Sequence, residues 1–405
     1  MIWQKSWVAV LNYKMKDGKT ALNVSLIVFL MYTVYYLGRL NLGALIPVIR
    51  DTHGFTNTEL GLVAASMYLA YTLMQVPSGF LADRIGVKRT LILGCIFIAV
   101  GNIIMITWFL SLLIIAQLIN GFGQSTGWSS LVKFGYSHRR EGRRILGILS
   151  SSVPAGTFLA YVVAGFTAEK FGLDYAFIIP ALVMISVAFL ISVAFPPHAI
   201  SHDNKKFKPK FILNKNVIAL SVIQLSILST MNGLFVWMPA LLVDLYEISA
   251  YEVYKFASLF PLPGIIGGVA GGYFASRYGD KPSIFLNQLM LSLLTLVIIV
   301  GMRLSLINFS HFFALLLILS MFFRFGSAGL FSLGVKTAGT EVAGTVSGFL
   351  NFVGSIGSVM VTGLIGFILD YYPSFYVLCI FEAIFIFSLL VSALLSEKDG
   401  ELRLD

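Results

Sequence analysis

Charge is what this chain has least of. Asp, Glu, Lys and Arg make up 12% of its 405 residues, while 58% are hydrophobic. A soluble domain carries about 25% charged residues, so the composition excludes a soluble globular chain. Acid is scarcer than base, 19 residues against 28, for a net charge of +9. A basic surplus can mean a nucleic-acid partner, but here the bases fall in alternate short loops between apolar runs, which is topology information and excludes nucleic acid as the reading. Cysteine is nearly absent: Cys95 and Cys379 each sit inside an apolar run, which excludes a disulfide framework and a thiolate metal cluster. No phosphate loop, metal-ligand spacing or nucleophile–base constellation occurs. The chain therefore does not read as an enzyme and calls for no cofactor or metal. A cleavable leader is not evident, because the first apolar run, starting near Ala21, is too long for one.

What is present is a series of twelve apolar runs, each long enough to span a bilayer at about 20 residues. They lie near 21–48, 58–82, 90–109, 111–134, 145–167, 173–195, 216–243, 251–275, 283–302, 307–335, 342–368 and 373–395. The longest polar break, from Pro196 to Lys215, contains Lys205, Lys206, Lys208 and Lys210 and divides the runs six to six. The expected organisation is a bundle over 1–195, a linker over 196–214 and a second bundle over 215–405. The N-terminus, the loops after even-numbered runs and the C-terminus hold 21 of the 28 Lys and Arg; the opposite loops hold only Arg50, Lys170, Lys255 and Arg303. By the positive-inside rule both termini are expected in the cytoplasm, with the chain a multi-pass protein of the inner membrane.

The chain also repeats itself. Gly79-Phe80-Leu81-Ala82-Asp83-Arg84-Ile85-Gly86-Val87-Lys88 recurs as Gly272-Tyr273-Phe274-Ala275-Ser276-Arg277-Tyr278-Gly279-Asp280-Lys281, 193 residues later. Pro47 and Pro239 repeat at a similar interval, 192 residues. Each decapeptide follows the second run of its half. A duplicated six-helix unit with a basic loop after its second helix is the plan of one kind of secondary transporter. The pattern resembles the loop signature of the major facilitator superfamily, closely in the first copy. The second copy has lost its acid, with Ser276 in the aspartate's place. The resemblance implies an all-α membrane protein of twelve transmembrane helices in two pseudo-symmetric six-helix bundles. It also implies that Gly79, Asp83, Arg84, Gly86 and Arg277 serve gating, with Asp83 bracing the start of the eleventh helix.

Charges inside the runs are few, and each costs roughly 2.5–3.5 kcal/mol at the bilayer centre. Arg39 lies in the first, Lys133 in the fourth, Arg324 in the tenth and Glu382 in the twelfth. In the superfamily the first, fourth, seventh and tenth helices line the central cavity. Arg39 is expected to meet an anionic substrate there, since no acid in the first six runs is placed to neutralise it. Arg324, with Ser320 and Ser327 beside it, is either a second substrate contact or the partner of Glu382. Lys133 either joins the site or extends to the surface. Glu382 reads as a counter-ion, or as a proton carrier. Gln117, Asn120, Gln124 and Trp128 form a polar stripe on the fourth run, and Gln224 and Asn232 lie on the seventh; such residues glue helices or face the cavity. Tyr36 and Trp128 are expected to stack on substrate. Base outnumbers acid at these positions, so the site favours anions.

Within the superfamily, the chain resembles the organophosphate:phosphate antiporters. The resemblance is carried by Tyr36-x-x-Arg39-x-Asn41, by Asn120-Gly121-Phe122-Gly123-Gln124-Ser125-Thr126-Gly127-Trp128, and by Ala343-Gly344-Thr345-Val346-Ser347-Gly348-Phe349. It implies that Arg39 is the phosphate-binding arginine. Glycerol-phosphate members have a second arginine in the seventh helix, where Met231 or Asn232 stands here, and a histidine in the fifth, where Val153 stands. The expectation is a monomeric carrier of a small organic anion, including a phosphate ester exchanged for phosphate. The alternatives are a proton-coupled carboxylate or sugar-acid symporter, suggested also by Gln75-Val76-Pro77-Ser78-Gly79, and a sensor that binds without transporting.

Overall fold

The computed structural model describes residues 18–137, 142–194, 214–339 and 343–396. Both tails and nearly all of the expected linker, with Lys205, Lys206, Lys208 and Lys210, lie outside the described residues. Helix is the regular structure throughout the described residues. In order the helices are α1 Gly18–Tyr35, α2 Leu37–His53, α3 Asn57–Arg84, α4 Val87–Met105, α5 Leu110–Ser137, α6 Gly142–Phe171, α7 Tyr175–Ala194, α8 Lys215–Tyr246, α9 Tyr254–Ala257, α10 Pro263–Tyr278, α11 Asp280–Arg303, α12 Phe309–Phe325, α13 Ser327–Ala338, α14 Ala343–Tyr371 and α15 Phe375–Ala393.

These helices make up the twelve expected spans, three of them from two pieces each: α1 with α2, α9 with α10, and α12 with α13. Among the described residues, ten spans are long and apolar enough to cross a membrane. The other two expected spans are α5 and the interrupted α9–α10 pair. The interruption follows from Pro261 and Pro263, which cannot donate to the helical ladder. The chain passes them through tighter turns, Phe260 N–H to the Ala257 carbonyl and Gly264 N–H to the Pro261 carbonyl. Pro154, by contrast, lies inside an uninterrupted α6.

The chain divides into two compact units: Met1–Ile49 with Ser66–Asn204, and Arg50–Ala65 with Lys205–Asp405. Segment 50–65 belongs with the second unit for a physical reason. Asp370 at the end of α14 accepts the otherwise unpaired N–H groups of Asn57 and Thr58 at 2.9 and 2.7 Å, together with the Thr58 hydroxyl. A carboxylate there meets both the free donors and the positive end of the α3 dipole. Arg50 bridges to Asp244 at 3.1 Å.

In the first unit α4 packs on α5 and α7, and α1 on α6. Tyr35, Tyr68, Tyr161 and Phe177 are fully buried there. In the second, α8 packs on α14 and α15, α10 on α12, and α11 on α12 and α15. Its core holds Trp237, Phe260, Phe312, Phe381 and Phe385. The outward faces are apolar: Leu182, Ile185, Phe189, Leu190 and Val193 are all exposed on α7. Such a face suits acyl chains, since the backbone polar groups are already paired within the helix.

Candidate functional site

The first span is broken at Tyr36, and the break positions Arg39. Tyr36 N–H reaches back only to Thr33, and Arg39 N–H takes the Tyr36 carbonyl at 3.0 Å, one residue short of its regular partner Tyr35. A carbonyl released in this way must find another donor. Gln124 Nε2 donates to the Tyr35 carbonyl at 2.9 Å, and Asn120 Nδ2 to the Gly38 carbonyl at 2.7 Å. Asn102 also donates to Gly38 and receives Asn41 Nδ2 at 2.7 Å. The polar stripe on α5 therefore fastens the break in the first span. Gln124 still has one atom to offer, its Oε1, which is buried and has no protein partner.

Arg39 itself is 8% exposed. Its guanidinium carbon stands 5.2, 5.7 and 4.4 Å from the ring centroids of Tyr36, Tyr68 and Tyr71. Tyr32 packs edge-on against Tyr36 and tilted against Trp128, both at 5.5 Å, so Tyr36 and Trp128 belong to one aromatic wall. Among the described residues no carboxylate pairs with Arg39. Ring faces return about 2 kcal/mol to a desolvated cation, less than burying an uncompensated charge costs. Thr33 Oγ1 in the same unit is also buried without a protein partner. The chemistry on offer is one planar cation with hydroxyl and carbonyl oxygens in its own unit, suited to an anion that carries hydroxyl groups.

Sequence reasoning missed Tyr68 and Tyr71. Their i, i+3 spacing on α3 was the available signal, but in a chain with 17 tyrosines it did not stand out.

The other candidate bases lie elsewhere. Lys133 is not beside the tyrosines: its ammonium bonds to the Asp83 carboxylate at 2.5 Å and to the Ala82 carbonyl at 3.0 Å. Asp83 and Arg84 are exposed, and no neighbour crowds Gly79. Gly86 and its counterpart Gly279 both have positive φ, 88° and 101°, a turn that a side chain would strain. In the second copy Arg277 stacks on Tyr278 and donates to the Tyr273 hydroxyl at 3.2 Å. Ser276 stands in the aspartate's place in this copy, but an acid further along the motif is paired. Asp280, four residues beyond Ser276, is 6% exposed and receives Lys336 Nζ at 2.6 Å and Ser332 Oγ at 2.9 Å. Each unit thus carries a lysine–aspartate pair at its loop signature.

Arg324 closes α12 just before a second break, at Gly326, whose N–H is taken by Asn287 Oδ1 at 2.9 Å. Its aliphatic stem lies over Gly264 and Gly268 of α10. The reading of Glu382 as counter-ion to Arg324 is corrected: Glu382 Oε1 accepts from Ser292 at 2.7 Å, and Oε2 has no protein partner. Asn232 donates to Ser358 at 2.9 Å and joins α8 to α14.

Comparison with known proteins agrees with this architecture. The chain is 26% identical over 394 residues to the glycerol-3-phosphate transporter of Bacillus subtilis (strain 168), covering 86% of each protein. It is 24% identical over 379 residues to the hexuronate transporter of the same organism, covering 87% of this chain and 89% of that one. A solved structure of a bacterial homologue of the human lysosomal transporter Spinster matches with a TM-score of 0.72 over 93% of this chain and 96% of that one; at 14% identity the likeness is one of fold. Residues 28–362, most of the chain, match the family as a whole, and the chain belongs to the Major Facilitator Superfamily.

Proposed function

We propose that this chain is a secondary carrier that moves a small, hydroxyl-bearing organic anion across the inner membrane by alternating access, with Arg39 as its anion contact. One observation carries the reading: a buried guanidinium inside a cage of tyrosines with no acid among the described residues to neutralise it. The transported anion would supply the missing charge. Tyr36, Tyr71 and Trp128 would pack on its carbon skeleton, and Gln124 Oε1 and the Tyr68 hydroxyl would meet its hydroxyls. The relatives named for glycerol 3-phosphate and for hexuronate support this class, one a phosphate ester and the other a sugar acid. Exchange of a phosphate ester for phosphate is the leading form. The loop charge bias supports placing the loops at 84–89 and 277–281 on the cytoplasmic side.

A second reading, sugar-acid transport, is favoured by charge count. Of the two candidate bases described in the first unit, Lys133 is held by Asp83, which leaves Arg39 for the anion and matches a monoanionic carboxylate better than a doubly charged phosphate. Proteoliposomes loaded with phosphate, glycerol 3-phosphate or glucuronate and tested for uptake of each labelled anion separate the two. Trans-stimulated uptake that disappears in Arg39→Ala supports the carrier reading; undiminished uptake in that variant refutes it.

A further inference from the structure

A row of buried polar residues runs along α11 and has no part in the Arg39 site. Asp280, Ser283, Asn287, Gln288, Ser292 and Thr295 are all 7% exposed or less, and they recur at steps of one to four residues on the face turned inward. From Asp280 to Ser292 the row covers about 18 Å at 1.5 Å per residue, from the loop signature to the middle of the helix. It is under-satisfied along its length. Ser283 Oγ, Asn287 Nδ2, Gln288 Nε2 and Glu382 Oε2 are buried and have no protein partner. The row meets α15 at two points, where Ser292 donates to Glu382 at 2.7 Å and Ser388 donates to Gln288 Oε1. Interhelical glue would pair its donors and acceptors with each other. Here two neighbouring amides of α11, and the carboxyl of α15 that Ser292 holds, are each left with an open atom.

Metal ions are poorly served. Gln288 Oε1 is already used by Ser388, which leaves the Glu382 carboxyl and hydroxyl oxygens, too few for a hard cation that takes about six oxygen ligands. A proton needs only the open oxygen.

We infer that Glu382 is a proton-loading site, reached from the loop-signature face through the polar row of α11. The step is Glu382 carboxylate plus a proton from water giving the neutral acid, with the proton on Oε2 and Ser292 holding Oε1. Charged and titratable groups on the packed elements stand away from it. On α11 they are Asp280, Lys281 and Arg303, all at helix ends; on α8, Lys215, Asp244 and Tyr246, also at ends; on α14, Asp370 and Tyr371, at its last turn. From α12, which reaches α15 through Phe323 and Phe385, they are His311 at the start and Arg324, whose stem lies over Gly264 and Gly268. On α15 itself Tyr376 stands at the start and Cys379 one turn before Glu382.

The test is infrared difference spectroscopy on the purified protein in lipid, without substrate. Expected is a carboxylic-acid C=O band that disappears as pH is raised, is missing in Glu382→Gln, and changes its pH midpoint in Ser292→Ala. A band absent at every pH, or insensitive to Glu382→Gln, overturns the inference and leaves the Arg39 reading standing. A second measurement uses proteoliposomes and labelled glucuronate. The ratio of uptake driven by a pH gradient to exchange without one is expected to fall to one in Glu382→Gln. An unchanged ratio, or a wild-type ratio of one, contradicts proton loading in transport. Should Glu382→Gln not fold, the midpoint change in Ser292→Ala decides alone, and no change overturns the inference.

Discussion

A guanidinium laid against three tyrosine rings is a different object from a point charge in the same place. It packs against the rings as a flat group and brings a rigid fork of N–H donors that an ammonium lacks. Arg39→Lys keeps the charge but loses the plane, so transport kcat/KM is expected to fall about tenfold or more, roughly 1.4 kcal/mol. Uptake kinetics of the two proteins check this, and parity between them would show that charge alone suffices. Much of this site was legible from sequence: Arg39, Tyr36 and Trp128 stand out because intramembrane charge and the motif spacing single them out. Two assignments were not. Lys133 and Asp83 are 50 residues apart, and only folding reveals that each holds the other. Asp280 stands in the repeat, but its pairing was not legible because the motif's acid position falls on Ser276 and Asp280 begins the next helix.

At the scale of elements, the breaks at Tyr36 and Gly326 were invisible in the sequence. Hydropathy runs straight across both, and the groups that repair them come from other helices: Gln124, Asn120 and Asn102 for the first, Asn287 for the second. Loss of such a donor leaves a buried carbonyl unpaired, at about 1–3 kcal/mol. Gln124→Leu is therefore expected to lower the melting temperature of the detergent-solubilised protein, and an unaltered melt would show that the Tyr35 carbonyl finds another donor. The cap on α3 makes a parallel case. Asp370→Ala removes the acceptor for two backbone donors and is expected to destabilise by about 1 kcal/mol, read from the same melts. The paired loop acids lend themselves to a double-mutant cycle. Asp280→Asn with Lys336→Met is expected to show coupling of about 0.5 kcal/mol or more, and simple additivity would make the contact incidental.

For the molecule as a whole, the chain carries one plan twice. The loop decapeptide, the glycine of positive φ and a lysine–aspartate pair recur in each unit, while the chemistry diverges. The first unit holds the uncompensated arginine and its tyrosines; the second holds the polar row ending at Glu382. The fold class, the number of spans and the duplication could be read from sequence because hydrophobic length and repeat spacing are properties of the chain itself. The division of segment 50–65 from its neighbours could not, since Asp370 and Asp244 are far off in sequence. Orientation has its own check. A cysteine placed at Lys88 is expected to react with a membrane-impermeant thiol reagent only in inverted vesicles, and one at His53 only in right-side-out vesicles; the reverse pattern would invert the proposed topology.

The central claim, that Arg39 binds a transported organic anion, is tested most directly by counterflow in proteoliposomes. Vesicles loaded with unlabelled glycerol 3-phosphate or glucuronate would receive the same labelled anion outside, with wild type and Arg39→Ala compared at matched reconstitution. Labelled anion should accumulate transiently with the wild type and stay at the level of empty vesicles with the variant. Equal counterflow from the two proteins would contradict the account.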